Sequence, residues 1–227
     1  MFDELLKYRL GDGVEAFSTR RNSPLPYPVI QGHQVHSARV AVIERSGMTR
    51  EELEGYDAFV TSLPDTAIGV RTADCVPILL YDPIQKVVAA VHSGWKGTVL
   101  HIAQQTIDVM AHRFGCRAEA LQAVIGPAIG PESFQVGEEV VAQFREAGFP
   151  LEEIWTFRGD VDERPMSGGH HIDLIKANQW MLEQTGVRPG NIQAYRIDTY
   201  TDKTFFSARR EGPQCGRIIN AIKLSRE

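Results

Sequence analysis

A cysteine and a histidine stand at the ends of two neighbouring apolar runs in "TADCVPILLYDPIQKVVAAVHSGWKGT", residues 72–98. Cys75 precedes the run 76–81, and His92 closes the run 87–92, 17 residues further on. Thiolate and imidazole are the usual ligands of zinc, and a catalytic zinc keeps three protein ligands and one open position. If the two runs pair as a hairpin, the two side chains come close together. A third ligand is available from "GHQVHSARV", which carries His33 and His36 at the end of another strand-like run. With Val35 turned into a core, strand alternation turns His36 toward a pocket rim. Spacing alone carries little weight, because the chain has no CxxC pair and no HExxH motif. A small buried hydrophobe is the commoner role for a free cysteine. A hydrogen-bonded core histidine is the commoner role for a residue placed like His92, and a surface position for one placed like His33.

The stretch after His92 adds a candidate for anion binding. In "SGWKGT", Gly94 and Gly97 allow a close backbone approach. Lys96 adds charge, and a following helix would present free N–H groups. The motif is not a Walker A loop, since GxxxxGK[ST] does not match. A second basic cluster, "SARREG" with Arg209 and Arg210 and later Arg217, offers guanidinium forks to phosphate oxygens. A tight strand-to-helix turn and a solvated charged turn are the plainer readings of these two stretches. Asp74, beside Cys75, is a candidate for orienting a ligand or carrying a proton; capping its turn is the alternative.

These residues must be held by elements that the hydrophobic pattern locates. Strand-like runs rich in valine and isoleucine occur at 29–35, 39–43, 58–61, 67–70, 76–81 and 87–92. Val99, Ile102, Ala103, Thr106, Ile107, Met110 and Phe114 recur at three- and four-residue spacing, which predicts a helix over 98–114, stopped by Gly115. A strand at 121–125 follows, then helices at 138–147 and 172–185 ended by Gly148 and Gly186. Strands return at 192–197, 204–207 and 217–222. "RRNSPLPYP" (20–28) reads as an extended segment and "RGDVDERPMSGGHH" (158–171) as a long loop. The early strands have no helices between them, so a regular βαβ array is excluded. The expected fold class is α/β of the α+β type, a single domain over 1–227 in which mixed β-sheets pack together with helices outside.

The totals narrow the function classes. The chain has 227 residues, 43% hydrophobic and 23% charged, which are ordinary globular proportions. A net charge of -5 gives no electrostatic reason to bind nucleic acid. The N-terminal stretch does not read as a secretory signal, and no apolar run approaches the ~18 residues that span a bilayer. Cys75, Cys116 and Cys215 are odd in number and far apart, which favours a reducing cytoplasm over a disulfide framework.

The motifs together resemble the YfiH family, whose older names are polyphenol oxidase, laccase-domain protein and multicopper oxidoreductase. The resemblance rests on "QVH" at 34–36, "TADCVPILLYD" at 72–82, "AAVHSGWKGT" at 89–98, "IGPAIGP" at 125–131 and "FFSARREG…GRI" at 205–218. It spans roughly residues 14–222. It implies a His-Cys-His metal triad on His36, Cys75 and His92, with Zn²⁺ as the metal, or Cu²⁺ if the older names are followed. It implies phosphorolysis of adenosine, inosine, guanosine or methylthioadenosine, and deamination of adenosine. Partners would be purine nucleosides and phosphate, on a monomer or homodimer. Family members usually carry a longer segment after "TTR", whereas here "STRRNSPLPYP" runs almost directly into "VIQGHQVH". Many also have cysteines where this chain has Ser133-Phe134 and Asp198-Thr199. Three other chemistries stay open: a cysteine hydrolase or transferase using Cys75 and His92, a copper-dependent phenol oxidase, and a non-catalytic zinc-stabilised interaction module.

Overall fold

A computed structural model of the chain describes residues 5–159 and 168–226. The elements in order are β1 (Leu5–Tyr8), β2 (Val14–Thr19), β3 (Val40–Val42), β4 (Ala58–Thr61), β5 (Ile68–Thr72), β6 (Val76–Asp82) and β7 (Val87–Ser93). Then come α1 (Trp95–Val99), α2 (Ile102–Phe114), β8 (Gln122–Ile125), β9 (Gln135–Val136), α3 (Glu138–Glu146), α4 (Leu151–Ile154) and β10 (Trp155–Arg158). The chain ends with β11 (Gly169–Ile172), α5 (Leu174–Gln184), β12 (Ile192–Ala194), α6 (Ala208–Glu211) and β13 (Ile218–Leu224).

The two apolar runs that flank Cys75 and His92 become the centre of a six-stranded sheet in the order β12-β8-β6-β7-β4-β3. β6 and β7 pair antiparallel, with Val76 opposite Ser93 and Pro77 opposite His92. Every residue of both strands is buried. The reason is that the sheet is covered on both faces. Ile78, Leu80, Val87, Ala89 and Val91 pack with the helices, among Ile107, Met110, Phe144 and Leu182. Leu79, Tyr81, Val88 and Ala90 face the other way, onto Phe59, Ile68 and Ile222. A strand buried on both faces has no polar alternation, which is why these runs read as continuous apolar blocks.

The second layer is a four-stranded sheet in the order β1-β2-β13-β5. β13 pairs antiparallel with β5, placing Ile218 opposite Thr72 and Ile219 opposite Arg71. A small third sheet, β10-β11-β9, borders the helices. The expected α+β single domain of mixed sheets with outer helices is what forms.

Several local expectations need correction. Residues 29–35 make no strand. They contribute isolated bridges from Ile30 to Ile68 and from His33 to Glu54, and Val35 is 52% exposed instead of core-facing. The helix expected over 98–114 is two helices, because His101 takes a left-handed conformation (φ 56°) between α1 and α2. Its ring stacks on Phe149 and its Nε2 lies 3.0 Å from the Ala147 carbonyl, so tertiary contacts stabilise a break that the apolar spacing does not signal. Residues 204–207 are a turn leading into α6, where the Ser207 hydroxyl accepts from the Arg210 N–H. The segment read as a loop over 158–171 begins on the last residue of β10 and ends within the strand Gly169–Ile172, while residues 160–167 lie outside the described residues.

Candidate metal centre

Three adjacent strands bring the chemistry together at one sheet end. Cys75 immediately precedes β6, His92 is the penultimate residue of β7, and Asp57 immediately precedes β4. Asp57 lies beside His92 in the ladder, with the His92 N–H donating to the Asp57 carbonyl at 2.8 Å. His36 comes from the irregular segment before β3. The candidate ligand atoms of His36, Cys75 and His92 all lie within 4.8 Å of one another. Cys75 Sγ is 3.8 Å from His36 Nε2, and the two imidazole rings are 4.9 Å apart at 69°. One thiolate and two imidazoles form a donor set suited to zinc, and their spacing allows one ion to be shared.

Asp57 organises this cluster. Its carboxylate is fully buried. It accepts from the backbone N–H groups of Val35, His36 and Ser37 at 3.2, 3.0 and 2.8 Å, and from the Ser37 hydroxyl at 2.8 Å. It also lies 2.7 Å from His92 Nδ1. Burial by itself would raise the Asp57 carboxyl, but the His92 and Ser37 hydrogen bonds outweigh it and hold the group at about 2. The ionised carboxylate accepts only, so His92 carries its proton on Nδ1 and keeps Nε2 for the cluster. The same carboxylate holds the backbone at His36, which has φ 63°, a conformation that side chains other than glycine rarely adopt.

The electrostatics favour a thiolate. Burial would raise the Cys75 thiol, yet the charge of His92 and hydrogen bonds from His36 and His92 bring it down to about 6. Burial would lower His92, but in the ion-free cluster the Cys75 charge and the Asp57 hydrogen bond raise it to about 9. A metal that takes Nε2 must therefore displace the proton there, while Nδ1–H keeps its bond to Asp57. Gly94 makes the close packing possible. A Cβ there would lie 2.8 Å from Cys75 Sγ and 3.2 Å from His36 Cδ2.

Cys75 borders two cavities. The larger, about 600 Å³, also holds His36 and His92, and is rimmed by Arg50, Arg71 and Arg217. The smaller, about 390 Å³, is walled by Trp95, Ile129, Phe134 and Leu174, with Asp74 and Arg209. The basic residues singled out in the sequence are thereby dispersed. Lys96 is exposed, its Nζ 5.6 Å from the Trp95 ring centre, and it does not border the larger cavity. Arg210 points inward, donating to the carbonyls of Thr199, Tyr200 and Phe205 and to the Glu211 carboxylate. Arg209 lies beside Phe134, with its side chain donating to the Gln135 carbonyl. The helix start after Gly94 belongs to a helix of only five residues. Asp74 accepts from the Thr199 hydroxyl at 2.7 Å and from the Arg209 backbone N–H at 2.8 Å, fastening two late turns to the strand end. His33 borders the larger cavity but is no member of the triad.

Asp57, Arg50 and Arg71 are not apparent as site residues in the sequence. The signal for Asp57 is an acid directly before an apolar strand, "YDAFV", which equally suits a turn. Ser133 and Asp198, which stand where the resemblance leads one to expect cysteines, touch each other: the Ser133 hydroxyl donates to Asp198 at 2.6 Å.

Residues 15–225 match the model of the family described as multi-copper polyphenol oxidoreductase laccase. A purine nucleoside phosphorylase of Bacteroides thetaiotaomicron is 37% identical over 227 aligned residues, covering 93% of this chain and 82% of the relative. A protein named adenosine deaminase RL5, from an unknown prokaryotic organism, is 41% identical over 201 residues, covering 86% and 74%. Among solved structures, the hypothetical protein YfiH of Bacillus licheniformis superposes with a TM-score of 0.82 at 25% identity, covering 93% of each chain.

Proposed function

The chain belongs to the multi-copper polyphenol oxidoreductase laccase family, and from that premise we propose that it is a zinc-dependent purine nucleoside phosphorylase that also deaminates adenosine. The observation that carries the reading is the His36–Cys75–His92 cluster, with Cys75 bordering two adjoining cavities of about 600 and 390 Å³ that together suit a nucleoside and its co-substrate. The names of the relatives supply the two reactions. Adenosine, inosine, guanosine and methylthioadenosine are the substrates.

In phosphorolysis a phosphate oxygen bonds to C1′ of the pentose as the C1′–N9 bond breaks. The bonding pair leaves with the purine, which takes up the proton carried by hydrogen phosphate. In deamination water adds at C6 of adenosine and ammonia leaves, giving inosine. A zinc ion, when bound, supplies Lewis acidity that activates water near neutral pH. Asp57 keeps His92 in one tautomer and holds the His36 backbone in place. The apolar wall of Trp95, Ile129 and Phe134 offers the purine a stacking surface and excludes water.

A His₂Cys donor set also serves single copper ions. Multicopper oxidation of a phenol requires further copper centres, however, and this is the one cluster of three or more candidate ligands among the described residues. A second reading, with Cys75 as a covalent nucleophile, is favoured by the lowered thiol and raised imidazole. One experiment separates the zinc and nucleophile readings. Metal-quantified protein is incubated with adenosine, with and without phosphate, and the products are identified. Adenine and ribose 1-phosphate only with phosphate, inosine in its absence, and loss of both with zinc in Cys75→Ser support the proposal. Full activity in zinc-free protein, abolished by thiol alkylation, would favour the nucleophile instead.

A further inference from the structure

We propose that Arg50, Arg71 and Arg217 form a phosphoryl-binding subsite beside the His36–Cys75–His92 cluster, an inference that rests on the phosphorylase reading and names where its second substrate sits. The chain as a whole is acidic, with 29 Asp and Glu against 24 Lys and Arg. The larger cavity reverses that balance. It is bordered by three arginines and three histidines and by no aspartate or glutamate among the described residues.

The three arginines come from separate parts of the chain and are brought together by the fold. Arg71 is the fourth residue of β5. Arg217 directly precedes β13, the strand paired with β5. By that antiparallel register Arg217 falls opposite Ala73, diagonal to Arg71 on the same face. Arg50 comes from the turn between β3 and β4, across the cavity. The backbone at Arg71 is fixed without help from its side chain, since the Gln34 amide bonds both its N–H and its carbonyl, at 2.8 and 2.9 Å. Arg217 donates to the carbonyls of Pro213, Cys215 and Gly216, which anchors its guanidinium at the rim.

No carboxylate forms an ion pair with any of the three among the described residues. Partial burial lowers the proton affinity of Arg71, and the nearby guanidinium groups of Arg50 and Arg217 lower it further. Like charges held together in this way are unfavourable until an anion joins them. Guanidinium forks match the oxygens of a phosphoryl group, and several forks suit a tetrahedral dianion better than a planar carboxylate. Ala73, Cys75 and Ala208 border both cavities. An apolar purine on the Phe134 side and a phosphoryl group on the arginine side would therefore meet beside the ligand cluster.

Two sources offer this chemistry: inorganic phosphate and the phosphate ester of a nucleotide. The test uses the zinc-loaded wild type with Arg50→Met, Arg71→Met and Arg217→Lys. Binding of inorganic phosphate and of adenosine 5′-monophosphate is measured by calorimetry, thermal midpoints are recorded with and without each ligand, and adenine release is titrated with phosphate. Arg71→Met should weaken phosphoryl binding at least tenfold with zinc content unchanged, and should raise KM for phosphate by a similar factor. Relief of the like-charge repulsion should also raise its thermal midpoint in ligand-free buffer and remove the ligand-induced rise. A purely structural arginine would lower the midpoint instead. Tight, arginine-dependent binding of the nucleotide with none of inorganic phosphate supports the subsite and assigns it to an ester. Unchanged binding of both ligands in Arg50→Met and Arg71→Met overturns it. Arginine-dependent phosphate binding without phosphorolysis would leave the subsite standing and bring down the phosphorylase reading, whereas phosphorolysis with unchanged phosphate KM would do the reverse.

Discussion

At the scale of single residues, the site depends on one carboxylate and one missing side chain. Five donors converge on Asp57, so an amide in its place must set its own NH₂ against one of them. Carboxylate support of a ligating histidine is typically worth 10–100-fold in metal affinity. Asp57→Asn should weaken zinc binding by about that factor, measured by competition with a chromophoric chelator. Unaltered affinity in a folded variant would show that Asp57 does not position the ligands. Gly94 has ordinary backbone angles, φ -66° and ψ 171°, so alanine there meets no backbone penalty. Its added Cβ instead meets Cys75 Sγ at 2.8 Å. Gly94→Ala should therefore lower the zinc retained per chain after dialysis while the far-ultraviolet spectrum is kept; full retention would refute the crowding argument. Cys75 and His92 are marked in the sequence by standing at the ends of apolar runs, and the motif resemblance makes them ligand candidates. Asp57 and Arg71 are not legible, because their roles depend on which strands become neighbours, and that is a property of the pairing.

At the scale of elements, legibility follows the length of the apolar signal. β4, β6 and β7 lie within a residue of the runs that predict them, since burial on both sheet faces keeps polar residues out of the strand interiors and leaves Thr61, Asp82 and His92 with Ser93 to mark the ends. The early hairpin of β1 and β2 and the short strands β9 and β10 have weaker patterns, which the apolar spacing does not single out. The glycine expected to stop the long helix does so, at φ 70°. A Cβ on Gly115 would meet nothing within 4 Å, which isolates the backbone cost from any packing cost. Gly115→Ala should destabilise the fold by about 1 kcal/mol through the left-handed conformation alone. Chemical denaturation reads this directly, with an unchanged slope and a lower midpoint; an equal or higher midpoint would mean that the helix ends another way.

At the scale of the whole molecule, the decisive fact is that the two hydrophobic clusters share their strands. Leu79 faces the cluster that contains Phe59, Tyr81 and Ile222, while its neighbours Ile78 and Leu80 face the helices. Neither layer can lose its packing and leave β6 and β7 intact for the other. The three tryptophans, Trp95, Trp155 and Trp180, all pack on the helix side, so their fluorescence reports one cluster alone. Leu79→Ala cuts the opposite cluster, and a buried leucine truncation of this kind costs about 2–5 kcal/mol. If the sheet couples the layers, tryptophan fluorescence and far-ultraviolet circular dichroism should report coincident unfolding transitions in the wild type. Both midpoints should then fall together in Leu79→Ala, although the tryptophans pack in the other cluster. A fluorescence midpoint that stays at the wild-type value while the dichroism shifts would mean that the layers unfold independently. The ligand cluster sits at the end of these shared strands, so the same coupling sets how firmly Cys75 and His92 are held at their separation.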